Sequence, residues 1–160
     1  MGSYQELQST FYRWRKNCMP TNPANQCDVN IDQKFIKYGD DKSIVVGDSL
    51  GDGENDRIIL MSRPEVMQAA SRVDRIAADA TFKSAPGIFF QVFIIFGLVA
   101  RSFWAPMFYG LMPHRGEESY RRLYGLIHDA MTAEGLQFQT NLDAMFDFEI
   151  GNTICHFKGS

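Results

Sequence analysis

The most apolar run of the chain, Ile88 to Ala100 (IFFQVFIIFGLVA), constrains the fold more than any other stretch. Its β-branched and aromatic content predicts a long, buried central strand. A spanning helix would need about 20 apolar residues. This run is interrupted by Gln91, contains Gly97 and is closed by Arg101, so no membrane partner is expected. A central strand needs a neighbour on each side and a layer to cover it, and the remaining sequence has to supply both. At 160 residues and 45% hydrophobic content, the chain fits one ordinary domain with a real core.

The flanking pattern supplies the neighbours. A strand around Ile76 to Phe82 leads through the turn Ser84-Ala-Pro-Gly87 into the long strand, taken as 89–99. A connection at Arg101-Ser102 leads to a third apolar run, Phe103 to Met112. Glu117 to Glu134 places Tyr120, Leu123, Tyr124, Ile127, Ala130 and Met131 on one face and Glu118, Arg121, Arg122 and Asp129 opposite, which predicts a helix. After Gly135 comes a last strand, Leu142 to Ile150, carrying Asp143, Asp147 and Glu149.

Short turns make the first three of these strands an antiparallel meander, and the helical crossover returns the fourth parallel to a predecessor. Pro106 cannot donate to a ladder, so the third strand belongs on an edge or at a bulge. With that strand at the edge, the order is 3-2-1-4: a mixed α/β sheet with Asp79 and Asp147 on adjacent parallel strands.

Upstream, Tyr4 to Lys16 repeats apolar residues at Tyr4, Leu7, Phe11 and Trp14, the stripe of an amphipathic helix stopped by Pro20 and Pro23. Residues 22–41 read as polar and irregular. Ser43 to Gly47 and Arg57 to Met61 read as a hairpin. The turn between them, Asp48 to Glu54, invites a calcium-loop reading. Leu50 and Ile59 occupy positions that should carry oxygen ligands, which leaves a solvated loop. Ser62 followed by Pro64 to Ala70 predicts a short helix with an N-cap.

Asp79 lies among small and apolar residues in RIAADATFKS, the stretch Arg75 to Ser84. A lone carboxylate is costly to bury, and two facing carboxylates repel unless a cation or proton sits between them. Hard oxygen ligands suit Mg2+ or Mn2+, and no His/Cys cluster suggests zinc beside these acids. The bland alternative is that Asp79 caps a strand end or pairs with an arginine.

Several stretches occur in an order that resembles the Mutator-like element (MULE) transposase domain, a member of the RNase H-like fold. Asp79-Ala-Thr-Phe-Lys83 is similar to that family's Asp-Gly-Thr-Phe-Lys strand, and Phe90 to Leu98 to its next apolar strand. Ala105-Pro-Met-Phe-Tyr-Gly-Leu-Met-Pro113 matches its Pro-Val-x-Tyr-Ala-Leu-Leu-Pro type of run. Glu117-Glu-Ser-Tyr-Arg-Arg-Leu-Tyr124 and Asp147-Phe-Glu149 follow, like its Glu-Glu-x-Tyr-x-x-Leu-Phe and Asp-Phe-Glu. The likeness covers about residues 57 to 150.

The resemblance implies a partial RNase H-like core over 73–151, preceded by a small α+β segment over 1–72 and followed by a tail over 152–160. It implies a nuclear DNA transposase in which three acids hold two Mg2+ or Mn2+ ions, with transposon ends as the DNA partner. Asp79 and Asp147 match the first two acids. The family's third acid lies on a helix well downstream, and the 160 residues stop before it, so the expectation is a degenerate or incomplete fragment, inactive as it stands. An apolar sheet edge left open would invite self-association. Glu149 lies two positions beyond Asp147 and, in a continuing strand, would share its face and touch the same cation. Cys155 and His156 echo the family's short Cys/His motif as a weak zinc pair, without the usual spacing.

The alternative class is a transposon-derived binding module without catalysis. Phe11-Tyr-Arg-Trp-Arg-Lys16 interleaves aromatic and basic residues, so Arg13, Arg15 and Lys16 are candidate phosphate contacts. Helix packing explains the aromatics as well. With 16 Lys and Arg against 19 Asp and Glu, the net charge of −3 offers no global field for nucleic acid, so any such contact is local. Cys18, Cys27 and Cys155 form no Cys-x-x-Cys pair and follow no signal peptide, which favours a reducing intracellular setting. His114 and His128 read as a turn and a helix-surface residue.

Overall fold

The computed structural model describes residues 8–14, 23–39, 42–50 and 56–146. It is mixed α/β. Its centre is a six-stranded mixed sheet of β3 (Val45–Asp48), β4 (Ile59–Met61), β5 (Arg75–Thr81), β6 (Gln91–Ala100), β7 (Phe103–Met112) and β8 (Asp143–Phe146). The spatial order is β3-β4-β7-β6-β5-β8.

β6 is the apolar run, and it pairs antiparallel with β5 on one side and β7 on the other. Alternation decides its faces: Gln91, Phe93, Ile95 and Gly97 are buried, whereas Val92, Ile94, Phe96 and Leu98 are only half-buried. The strand is thus central but covered on one face, a correction to the expectation of burial on both. The covering layer is α3 (Pro64–Ala70) and α4 (Glu117–Ala133). On α4, Tyr120, Leu123, Ile127, Ala130 and Met131 are buried, as the helical stripe predicts, and join Phe93, Ile95, Ile76 and Phe108 in the core. Tyr120 and Tyr124 each meet the Phe93 ring edge to face, at 5.2 and 6.4 Å between centroids. Gly110 lets α4 approach β7: a Cβ there would come within 2.7 Å of Leu123 Cδ1.

β7 is not an edge strand. Ile59, Leu60 and Met61 of β4 pair with Leu111, Gly110 and Tyr109, so the upstream hairpin β3-β4 extends the sheet beyond the meander. Pro106 is tolerated by the second of the two expected routes, a bulge. It lies past the end of β4 and at a register shift, where Ile95 faces Phe108 but Phe96 faces Pro106. The extra residue is Met107, and the bulge lets Met107 and Phe108 both be buried although they are adjacent in sequence. The β5 to β8 pairing is parallel, from Arg75 opposite Asp143 to Ala78 opposite Phe146. Because β3 and β4 belong to the same sheet as β5 to β8, one core draws on both sides of the boundary expected at residue 72.

The upstream segments are more ordered than their polarity suggests. α2 (Gln33–Ile36) is a single turn capped by Asp32, whose carboxylate accepts from the Lys34 N–H. β1 (Lys37–Tyr38) and β2 (Lys42–Ser43) form a small separate hairpin. Glu65 at the start of α3 ties that hairpin down by accepting from Tyr38 Oη and Lys42 Nζ, both at 3.1 Å. Ser62 does not cap α3; Arg63 occupies the N-cap position without a side-chain bond, and the Ser62 hydroxyl donates to the Met107 carbonyl of β7 at 2.7 Å. Residues 8–14 form helix α1, with Phe11 and Trp14 at 66% and 67% exposure, so the amphipathic stripe there is not spent on the core. Tyr4 and Leu7 lie outside the described residues. Among the described residues, no helix is long and apolar enough to cross a membrane.

Leu123→Ala is expected to cost about 2–5 kcal/mol in urea unfolding, by lost transfer energy and the cavity left behind. Gly110→Ala alone crowds Leu123, but in the Leu123→Ala background the new methyl has room. The double variant should therefore be more stable than the sum of the two single effects.

Candidate functional site

Asp79 sits near the C-terminal end of β5, opposite Ile94 of β6, on the sheet face turned away from α3 and α4. The side chain is exposed, whereas its neighbour Ala78 is buried in the core. The buried acid expected among small apolar residues is therefore corrected: period-two alternation sends Ile76 and Ala78 inward and Asp79 outward. Ala77, Thr81, Ile94 and Phe96 share its half of the sheet face. Asp143, at the other end of the β5-β8 pair, lies across from Arg75, with 3.9 Å between carboxylate and guanidinium on an exposed surface. Four strand positions separate it from the level of Asp79, about 13 Å along the strand, so it is no partner of that acid.

Asp147, Glu149, Cys155 and His156 lie outside the described residues, as do Arg15 and Lys16. Arg13 is exposed on α1. His114 is exposed in the turn after β7, and His128 is exposed on α4, 3.5 Å from the Asp129 carboxylate. Cys27 is an exposed free thiol. Among the described residues, no group of three or more His, Cys, Asp or Glu side chains stands together to hold a metal ion. Asp79 thus offers a carboxylate to any Mg2+ or Mn2+ without belonging, among the described residues, to a group of three such side chains. A cavity of about 410 Å³ lies elsewhere, between Lys42, Val45, Pro64, Met67 and Glu134, and includes none of the candidate residues.

Two arginine clamps escape a sequence reading because their partners are far apart in the chain. Arg57, 8% exposed, donates to both carboxylate oxygens of Asp48 and to the backbone carbonyls of Gln26 and Val29. Gln26 completes the joint: its side-chain Oε1 accepts from the Arg57 backbone N–H and its Nε2 donates to the Ile88 carbonyl at 2.7 Å. The Asp48 carboxylate, considered above as a cation ligand, is thereby committed to a guanidinium and to the Leu50 N–H. Arg122, expected on the solvent face of α4, instead bonds Asp56 and the Ser49 hydroxyl, fastening the hairpin to the helix. In the core, the Gln91 amide donates to Tyr120 Oη at 3.1 Å, while its side-chain carbonyl oxygen has no hydrogen-bond partner among the described residues.

Comparison of the chain with family models, with curated proteins and with solved structures found no match in any of the three.

Burial raises the proton affinity of the Asp48 carboxyl, but the Arg57 hydrogen bonds and the Leu50 N–H outweigh it and hold the group below its ordinary value of 3.8. A carboxyl depressed on folding contributes stability above its unfolded pKa, and that contribution is lost as pH falls through the folded value. Wild-type unfolding should therefore show an acid-side loss beginning near pH 4, and Asp48→Asn should flatten it. Arg57→Met should cost about 2–3 kcal/mol at pH 7 in the same experiment, because it strands Asp48 and two backbone carbonyls.

Proposed function

We propose that the chain carries part of an RNase H-like, Mutator-type transposase core, a divalent-metal phosphodiester-cleaving and strand-joining class, with Asp79 and Asp147 as its first two acids. The observation that carries the reading is Asp79 itself: an exposed acid on the face turned away from α3 and α4, on a strand flanked by antiparallel β6 and parallel β8. The pairing of Arg75 with Asp143 through Ala78 with Phe146, if continued by one position, would bring Asp147 opposite Asp79. Neighbouring strands lie about 4.8 Å apart, so two carboxylates in that relation would need a cation between them. A pair of divalent ions supplies activation of water or a 3′-hydroxyl and stabilisation of the leaving oxygen. The meander, helical crossover and parallel return, in the order β7-β6-β5-β8, support the RNase H-like assignment.

A second reading, a binding module without catalysis, is favoured by α1. There Phe11, Tyr12 and Trp14 are exposed around Arg13, the arrangement of a stacking and phosphate-contacting surface. In that case DNA binding weakens when charge is removed at Arg13, Arg15 and Lys16, and the chain nicks no DNA.

Thermal unfolding with increasing Mn2+ separates the two readings. The transposase reading expects the wild-type midpoint to rise with metal concentration, and Asp79→Asn and Asp147→Asn each to abolish the rise. Equal metal responses in all three proteins would reject the paired acids. A Mn2+-dependent plasmid-nicking assay follows, in which cleavage surviving in both variants marks contamination.

A further inference from the structure

The link between β5 and β6 holds two phenylalanines at the surface. Phe82 follows the last residue of β5 and Phe90 precedes the first of β6, and their rings meet edge to face at 5.4 Å and 78°. They remain 45% and 46% exposed although Phe89 and Phe93, on either side of Phe90, are in the core. The connection is built to hold them: the Ala85 N–H donates to the Phe82 carbonyl, the Phe89 N–H to the Pro86 carbonyl, and the Phe90 N–H to Met112 of β7 at 2.9 Å. Lys83 lies beside Phe82 in the chain, and among the described residues its ammonium makes no ion pair. Arg115, three residues beyond the Met112 that bonds Phe90, is likewise exposed and unpaired among them. The nearest acids in sequence, Glu117 and Glu118, are both held by Arg121. Of the two rings, Phe90 keeps the strand parity of Val92 and Ile94, which lie on the Asp79 face, and Phe82 reaches it across the bend after Thr81.

We infer that Phe82 and Phe90, with Lys83, form a stacking platform for an unpaired nucleotide of the DNA strand whose phosphodiester is presented to Asp79. This deepens, and rests on, the nucleic-acid reading of the site by naming single-stranded rather than fully duplex DNA as what the site holds. An exposed ring offers its face only to a base whose own faces are free, so a base inside a duplex cannot use it. Lys83, next to Phe82 in the chain, supplies the phosphate contact that a stacking platform needs, and a protein of net charge −3 has no general field to replace it. A peptide partner would value the apolar area of the two rings, whereas a base values their π faces, so the two occupants respond differently to leucine.

The test is fluorescence anisotropy of a labelled oligonucleotide, single-stranded or duplex, titrated with the full chain in EDTA. Wild type is expected to prefer the single strand, and Phe82→Leu and Phe90→Leu to weaken that binding about tenfold while leaving the thermal midpoint in place. Phe90→Tyr should restore it. Lys83→Gln should lower affinity and flatten the salt dependence. Equal affinity for both DNA forms, or single-strand binding unchanged by both leucine variants, overturns the inference, the latter also being the result expected of a peptide-docking surface. Asp79→Asn is carried alongside. Phe-dependent binding that persists in this variant, without any Mn2+ response in the wild type, keeps the platform and rejects the metal chemistry. A Mn2+ response without Phe dependence does the reverse.

Discussion

The structure depends on β6 being paired along both edges at once. With β5 and β7 hydrogen-bonded to it, the backbone of the most apolar part of the chain is satisfied internally, and only its two side-chain faces remain to be settled. One face is covered by α4, whose approach is permitted by the missing Cβ of Gly110 and anchored by Phe93 against Tyr120 and Tyr124. Among the described residues the other face carries no helix, and it is the face on which Asp79 emerges. The position of the candidate acid is thus a consequence of which face of the central strand the helix occupies.

The hairpin β3-β4 is joined to this core in two ways. Its backbone extends the sheet beyond β7, and its turn is held by Arg57 on Asp48 and Arg122 on Asp56. Both guanidiniums are mostly sheltered, and the first also satisfies carbonyls of the 23–29 segment, so charge-assisted hydrogen bonds tie that segment to the sheet. Ser62 adds a third tie through Met107, at the bulge that accommodates Pro106. Bulge, proline and serine form one joint where β4 ends and β7 continues alone.

Much of the local structure was legible in the chain. The stripe Tyr120, Leu123, Ile127 and Met131 predicted α4, Pro64 predicted the start of α3, and the apolar run predicted a central strand, because periodicity and proline chemistry act within a few residues. The edge assignment for β7 failed because Pro106 limits only its own hydrogen bond, and β4 pairs farther along the same strand. Asp79 is exposed rather than buried because its small neighbours mark only the inward face of β5, where Ile76 and Ala78 lie. The clamps on Asp48 and Asp56 were illegible for a simpler reason: Arg122 and Asp56 are separated by most of the sheet. The Phe82 and Phe90 rings belong to the same class, since nothing in a run of apolar letters says which of them stay in water.

The sequence by itself determined where β3 to β8, α3 and α4 form, that the meander is antiparallel, and that a crossover helix returns the chain to a parallel strand. These follow from side-chain periodicity and connection length, which are local quantities. Only the tertiary structure decided that the hairpin joins the sheet, that one face of β6 stays open, and that Asp79 lies on it. Those outcomes depend on competition between surfaces for the same partner, and the winner is set by packing: Gly110 admits α4 on one face, and β4 finds the unpaired half of β7.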